Sequence, residues 1–202
     1  MPRHAGLVRT THWITTLCFF ALLLSGGEIV ISHPRFYWGE DGNVLMPALF
    51  SLPIPASRGA VQTGYNYVLK DQNGWSRYLH FQTGWIMVAT GLLYVGYGWR
   101  SRHFRQNLLS PSSYNPLQRA TYLTVIFLLF PAMIWTGLAM SPAFTGAFPF
   151  LVDGVGGFQS ARTLHFFVTL ALVLFVISHV IMVYRAGFRN RVQAMITGKE
   201  PR

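Results

Sequence analysis

The stretch Arg162-Thr-Leu-His165-Phe-Phe-Val-Thr-Leu-Ala-Leu-Val-Leu-Phe-Val-Ile-Ser-His179-Val-Ile-Met-Val-Tyr184 decides how this chain is read. It is apolar for longer than the ~20 residues a helix needs to cross the hydrocarbon core of a bilayer. It also holds two histidines. Fourteen residues apart, they fall within ~40° of one another around a helix at 100° per residue, with His179 ~21 Å further along the same face. That spacing suits two stacked haems. An ionisable side chain well inside an apolar run, as His179 is, is a functional candidate by default.

The rest of the chain supports a membrane setting. Hydrophobic residues make up 51% of the sequence, aromatic residues 15% and charged residues 11%, against ~25% charged in a soluble average. Three further segments have spanning length, about 7–31, 76–99 and 117–140, beside 162–184. None alternates as a barrel strand would, and helices leave no backbone group unpaired in lipid. The expected fold is an all-α membrane protein, a bundle of four transmembrane helices forming a single domain over 1–202. The connection 32–75 becomes a long outer loop.

Net charge is +10, which could suggest nucleic acid, but its placement argues for topology. If the four segments alternate, Arg3, Arg9, Arg100, Arg102, Arg105, Arg119, Arg185, Arg189, Arg191, Lys199 and Arg202 share one side, 11 of the 16 basic residues. The positive-inside rule makes that side, with both termini, cytoplasmic. The acidic residues Glu28, Glu40, Asp41, Asp71 and Asp153 then lie at or near the outer surface. Nucleic acid is accordingly excluded, and the expected location is the bacterial inner membrane.

Cys18 is the sole cysteine, so neither an internal disulfide nor a cysteine-ligated cluster can form. The first apolar segment exceeds a signal-peptide core and Ser25-Gly26-Gly27 is a poor cleavage site, so it reads as an uncleaved helix. The outer loop, with prolines 34, 47, 53 and 55 and aromatic residues Phe36, Tyr37, Trp38, Tyr65 and Tyr67, is too long for a turn. It is expected to cap the outer surface or form a docking platform. After Tyr184 the stretch 185–197 alternates basic and apolar residues, as a helix lying in the inner interface would.

With the amino terminus inside, helices one and three run outward and two and four inward. His80 and His165 then share the outer depth, and His12 and His179 the inner depth. Each pair can clamp one haem iron between helices. Structural zinc would need all four rings around one ion, which two depths do not allow. Interfacial histidines that merely hydrogen-bond to headgroups are the plain alternative for any one of them, because three lie near helix ends. His4, His33 and His103 lie outside the spans and have no depth-matched partner. Helix three has no histidine; it is expected to support the bundle, with a kink at Pro131.

Gly84 and Gly91 fall at +4 and +11 from His80, and Gly26 at +14 from His12, each removing a side chain where a flat macrocycle would press. Gly26 would face the outer haem and Gly91 the inner one, with close helix packing as the alternative. Arginine stands three residues before histidine three times, as Arg9 and His12, Arg77 and His80, Arg162 and His165. One turn places each guanidinium toward the membrane surface, where haem propionates would emerge. Arg9 would serve the inner haem, Arg77 and Arg162 the outer one; simple snorkelling is the alternative.

Several stretches together resemble one family. Arg9-Thr-Thr-His12-Trp13, Arg77-Tyr-Leu-His80, Arg162-Thr-Leu-His165 with His179, and Met195-Ile-Thr-Gly198 are similar to the cytochrome b subunits of bacterial nickel-iron hydrogenases, formate dehydrogenases and thiosulfate reductases. The loop His33-Pro34-Arg35-Phe36-Tyr37-Trp38-Gly39 is closer to the thiosulfate-reductase type. The resemblance implies two haem b groups and a subunit that anchors an oxidoreductase in the membrane. It also implies electron exchange between a periplasmic redox protein and the quinone pool. The partner could be a molybdopterin oxidoreductase, a hydrogenase or a cytochrome c, and a homodimer is left open. The expected route is outer haem, inner haem, quinone, with Arg100 to Arg119 or Arg185 to Arg191 lining a quinone site. The alternative is a stand-alone oxidase of a small reductant such as superoxide, steered by Arg35, Arg58, Lys70, Arg77 and Arg162.

Overall fold

The computed structural model describes residues 5–43, 45–54, 73–105 and 116–199. Four long helical stretches dominate it. Helix α1 spans Gly6–Ser32 and α2 spans Asn73–Arg100. The third stretch is composite: α3 at Pro116–Thr124, a π-helical segment at Val125–Leu129 and α4 at Phe130–Ala139. Short helices α5 (Pro142–Ala147) and α6 (Phe150–Asp153) lead to α7 at Phe158–Arg185, and α8 at Phe188–Thr197 closes the chain.

Three of these stretches, Gly6–Ser32, Gln118–Ala139 and Phe158–Arg185, are long and apolar enough to cross a membrane. Helix α2 has the length, but Gln82, Thr83, Thr90 and the charged Arg77 and Arg100 dilute its hydropathy. Burial follows the pattern of a helix bundle in lipid, not in water. Large side chains such as Leu17, Leu24, Leu92, Leu174 and Ile177 point outward, while Ser25, Thr83, Thr90, Ala139, Ser160, Ala161 and Thr163 are buried. Apolar side chains gain nothing by leaving lipid, so close packing through small residues holds the helices together.

The helices associate as two pairs. Helix α1 packs along α2, and the π segment and α4 pack along α7, whereas packing between the two pairs is sparse among the described residues. The bend expected at Pro131 coincides with the π segment just before it. Proline lacks the N–H, and its ring crowds the carbonyl four residues back, here Phe127. A widened turn accommodates both.

The first part of the outer loop folds onto the start of α7. Strand β1 (Arg35–Phe36) pairs antiparallel with β2 (Phe50–Ser51). Phe36, 1% exposed, is stacked on Phe50 at 4.6 Å and lies 4.6 Å from Phe166. The same loop satisfies the open end of α7. The Glu40 carboxylate accepts the Phe158 N–H at 2.9 Å, and the Gly39 carbonyl accepts from Gln159 and Ser160 at 2.9 and 3.2 Å. An acid at a helix amino terminus answers both the unpaired N–H groups and the helix dipole. Gly157 enters the helix at φ +109°, and a Cβ there would collide with the Gly39 backbone, so only glycine fits. Residues 33–43 and 45–54 thus fold as a cap over the start of α7. Tyr65, Tyr67, Arg58 and Lys70 lie outside the described residues.

At the other end, the stretch 185–197 is helical from Phe188 on: Arg185 closes α7, and α8 is bracketed by Gly187 and Gly198, both left-handed. It folds back onto the start of α1. Trp13 Nε1 donates to the Met195 carbonyl at 3.2 Å and Arg9 Nη1 to the Ile196 carbonyl at 2.7 Å.

Candidate functional site

The four histidines meet as two separate pairs. The His80 and His165 rings have centroids 6.2 Å apart and an interplanar angle of 58°; those of His12 and His179 are 6.4 Å apart at 51°. Each pair joins one ring from the α1/α2 half to one from the α4/α7 half, across the gap between them. Among the described residues no three His, Cys, Asp or Glu side chains converge.

Each histidine reaches its pair through local contacts. Ser25 Oγ lies 3.0 Å from His80 Nδ1, and Thr136 Oγ1 lies 2.9 Å from His165 Nδ1. A Cβ added to Gly26 would stand 3.4 Å from His80 Cε1, and one added to Gly137 would stand 3.5 Å from His165 Cε1. In the inner pair, His179 stacks on Phe175 at 5.7 Å and 28°, with Tyr122 edge-on at 6.3 Å. His12 meets Trp13 edge-on at 5.2 Å. The Nδ1 atom of His179 is buried and makes no hydrogen bond among the described residues.

This arrangement fits bis-histidine haem. A metal bonded to one nitrogen of each ring at ~2 Å separates the ring centres by ~6 Å, which is the spacing of both pairs. The rings of each pair lie between the helix pairs, and the hydroxyl contacts at His80 and His165 engage Nδ1 of each ring. His179 contributes a buried Nδ1 without a hydrogen-bond partner among the described residues.

The glycines and arginines divide. Gly26 borders the His80 ring, and among the described residues an added Cβ at Gly84 or Gly91 would meet no atom within 4 Å. Arg77 is exposed at the start of α2. Arg162 has other partners: the carbonyls of His33 and, at 2.9 Å, Arg35, the Gln159 side chain at 3.1 Å, and the Phe36 ring 4.8 Å beneath its Cζ. Arg9 likewise donates to the Ile196 carbonyl, and its Nε is buried with no hydrogen bond among the described residues. Two of the three arginines thus fasten chain segments together. Outside the spans, burial lowers the His103 pKa; its ring lies 6.2 and 6.3 Å from Tyr94 and Tyr97.

Sequence reasoning missed Ser25, Thr136 and Gly137. Ser25 was weighed only as part of a cleavage site, and helix three was given no contact with a histidine. The available signal was a hydroxyl followed by glycine within an apolar helix, present as Ser25-Gly26 and again as Thr136-Gly137.

Comparison with known proteins bears on this geometry. A family model described as prokaryotic cytochrome b561 matches residues 3–198. The chain belongs to the prokaryotic cytochrome b561 family. It is thus an integral membrane protein for electron transfer, and its family implies haem b. The resemblance to bacterial cytochrome b subunits is borne out at this level. A relative from Azospira oryzae, named as a putative protein-methionine-sulfoxide reductase subunit YedZ1, is 27% identical over 96% of this chain and 96% of its own length.

Proposed function

We propose that this cytochrome b561 holds two haem b groups, the outer between His80 and His165 and the inner between His12 and His179. It would carry electrons between a periplasmic redox protein and the quinone pool of the bacterial inner membrane. The observation that carries the proposal is the pair of ring separations, 6.2 and 6.4 Å, at two levels of one bundle. His80, His165, His12 and His179 would hold the haems, which would supply one-electron chemistry.

The chain's own residues do the holding. Helix α2 crosses the membrane as the fourth span, because it packs along the apolar α1 over its length. Both termini and the α2 to α3 connection face the cytoplasm, following the basic residues. Gly26, Gly84 and Gly91 keep the space beside the histidines free of side chains. Arg77 remains the arginine most available to an outer propionate, while Arg9 and Arg162 would reach a propionate only alongside their present partners. A quinone site belongs on the cytoplasmic side, near Arg100 to Arg119 or Arg185 to Arg191.

The A. oryzae relative's name, a subunit of a reductase, supports an anchor and conduit serving a separate catalytic protein. The cap over residues 33–54 offers that protein a structured outer surface. A stand-alone oxidase is less well supported, since Arg162 of its steering set is committed to loop carbonyls. The test is a pyridine haemochrome assay on the purified chain. Two haems per chain are expected, and substantially fewer would overturn the reading.

A further inference from the structure

The contacts behind His80 and His165 follow one pattern twice. Ser25 on α1 donates its hydroxyl hydrogen to the Ala21 carbonyl at 2.7 Å, and Thr136 on α4 donates to the Ala132 carbonyl at 2.8 Å. A hydroxyl has one hydrogen, so toward the histidine each oxygen can only accept. A second carbonyl of the same helix stands beside each hydroxyl, Leu22 O at 3.2 Å from Ser25 Oγ and Met133 O at 3.2 Å from Thr136 Oγ1, so each hydroxyl hydrogen has two backbone acceptors within its own helix. With the hydroxyl hydrogens so placed, the contacts at 3.0 and 2.9 Å are made by an Nδ1–H of each ring, the tautomer that leaves the Nε2 lone pair bare.

We propose that Ser25 and Thr136 are positioning residues for the outer site. Each accepts the Nδ1 hydrogen of the histidine on the neighbouring helix, fixes Nε2 as its metal-binding nitrogen and strengthens that imidazole as a donor. The inference rests on the assignment of His80 and His165 as the outer haem ligands. A hydrogen bond from the far nitrogen of a ligating histidine fixes its tautomer and raises its basicity. A more basic ligand favours the ferric state, so the two hydroxyls hold the outer haem at a lower potential than it would otherwise have. The ring lies against the glycine after each hydroxyl, 3.4 and 3.5 Å from where a Cβ would be, so a side chain larger than a methyl there would press on it. His179 has no such acceptor at Nδ1 among the described residues, so the device belongs to the outer site.

The test uses the full-length haem-loaded protein in detergent or nanodiscs. The variants are S25A, T136V and their double, with T136S as the conservative control; valine keeps the branched shape of threonine and puts a methyl in place of the hydroxyl. Spectroelectrochemical titration and low-temperature EPR of the ferric low-spin haems provide the readouts. The single variants should keep two haems and raise the midpoint of one haem only, accompanied by a shift in that haem's EPR signal. The double variant should shift further, and T136S should behave as wild type. If S25A or T136V instead loses one haem, T136S retaining it supports the hydroxyl role, while T136S losing it as T136V does overturns that role. Unchanged potential and EPR signal in the double variant, with both haems bound, would also overturn it. A wild-type chain holding no outer haem would instead overturn the ligand assignment, a separate failure seen before any variant is made.

Discussion

Pairing by depth makes a specific demand on double variants. Replacing His179 by leucine removes one ligand of the inner pair, whose rings are 6.4 Å apart. The outer pair lies ~21 Å away along the helix, as fourteen residues at 1.5 Å rise require. Changes that far apart with no shared partner act independently, whereas changes within one pair act on one object. H179L should therefore reduce the haem content from two per chain to one. H12L should do the same, and the H12L/H179L double should still hold one, because both remove the same haem. H80L/H165L should mirror it at the outer site. A cross-pair double, such as H165L with H179L, should hold none even though both changes sit on a single helix.

Haem per chain by pyridine haemochrome, with protein quantified by amino-acid analysis, distinguishes zero, one and two without ambiguity. Redox titration adds which of two potentials survives. The reasoning fails if H12L/H179L is haem-free while H12L and H179L each retain one, since that would place His12 and His179 on different irons. It fails equally if H179L removes both haems while the protein remains folded by circular dichroism.

Other parts of the structure make their own demands. Valine at Gly137 would press on the His165 ring, where a Cβ alone stands 3.5 Å from Cε1. Overpacking of this kind costs ~1–3 kcal/mol, and G137V should weaken the outer haem selectively, as haem loss during purification would show. Phe36→Ala would empty the centre of the aromatic cap over α7. A loss of ~3–5 kcal/mol is typical for a buried phenylalanine, so the thermal midpoint should fall clearly, and an unchanged midpoint would mean the cap is not part of the cooperative unit. Arg9→Ala would release the last turn of α8. With the bond exposed, ~1 kcal/mol is a fair size, and tryptic cleavage at Arg189 and Arg191 should quicken by about fivefold; an equal rate would show that Trp13 alone holds the tail.

The long helices and the meeting of His80 with His165 and of His12 with His179 were legible because both follow from simple periodic rules. An apolar run of spanning length and a fourteen-residue interval between histidines need no tertiary information. Observed helix limits fall within four residues of those expected. The reason is that Pro34 and Gly157, which bound α1 and α7, act through local backbone geometry. What escaped the sequence was the third element's part in the site. Nothing in Trp135-Thr136-Gly137 states that its hydroxyl faces a histidine 29 residues later, because that depends on how the π segment turns the helix ahead of Pro131. The arginines were misjudged in emphasis for a similar reason. A spacing of three residues from a histidine places Arg9 and Arg162 at the membrane surface, but cannot reveal that the carboxyl-terminal helix and the outer loop arrive there with unpaired carbonyls.

Those two arginines explain how a bundle with a sparsely packed middle stays assembled. In lipid there is no hydrophobic drive to press the α1/α2 half against the α4/α7 half. At the outer end, Arg162 of α7 holds the carbonyl of His33, the residue that ends α1, and Phe166 packs under Phe36. At the inner end, Arg9 and Trp13 of α1 hold the last turn of α8, which continues directly from α7. The halves are thus latched at both ends of the bundle, and the two histidine pairs lie between the latches. The latches hold the helix pairs in place, and the spacing of the helix pairs sets the ring separations on which the proposed haem sites would depend. The arginine one turn before His12 and the one before His165 would therefore matter to the proposed sites without touching a haem: each sets the position of the helix that presents its histidine.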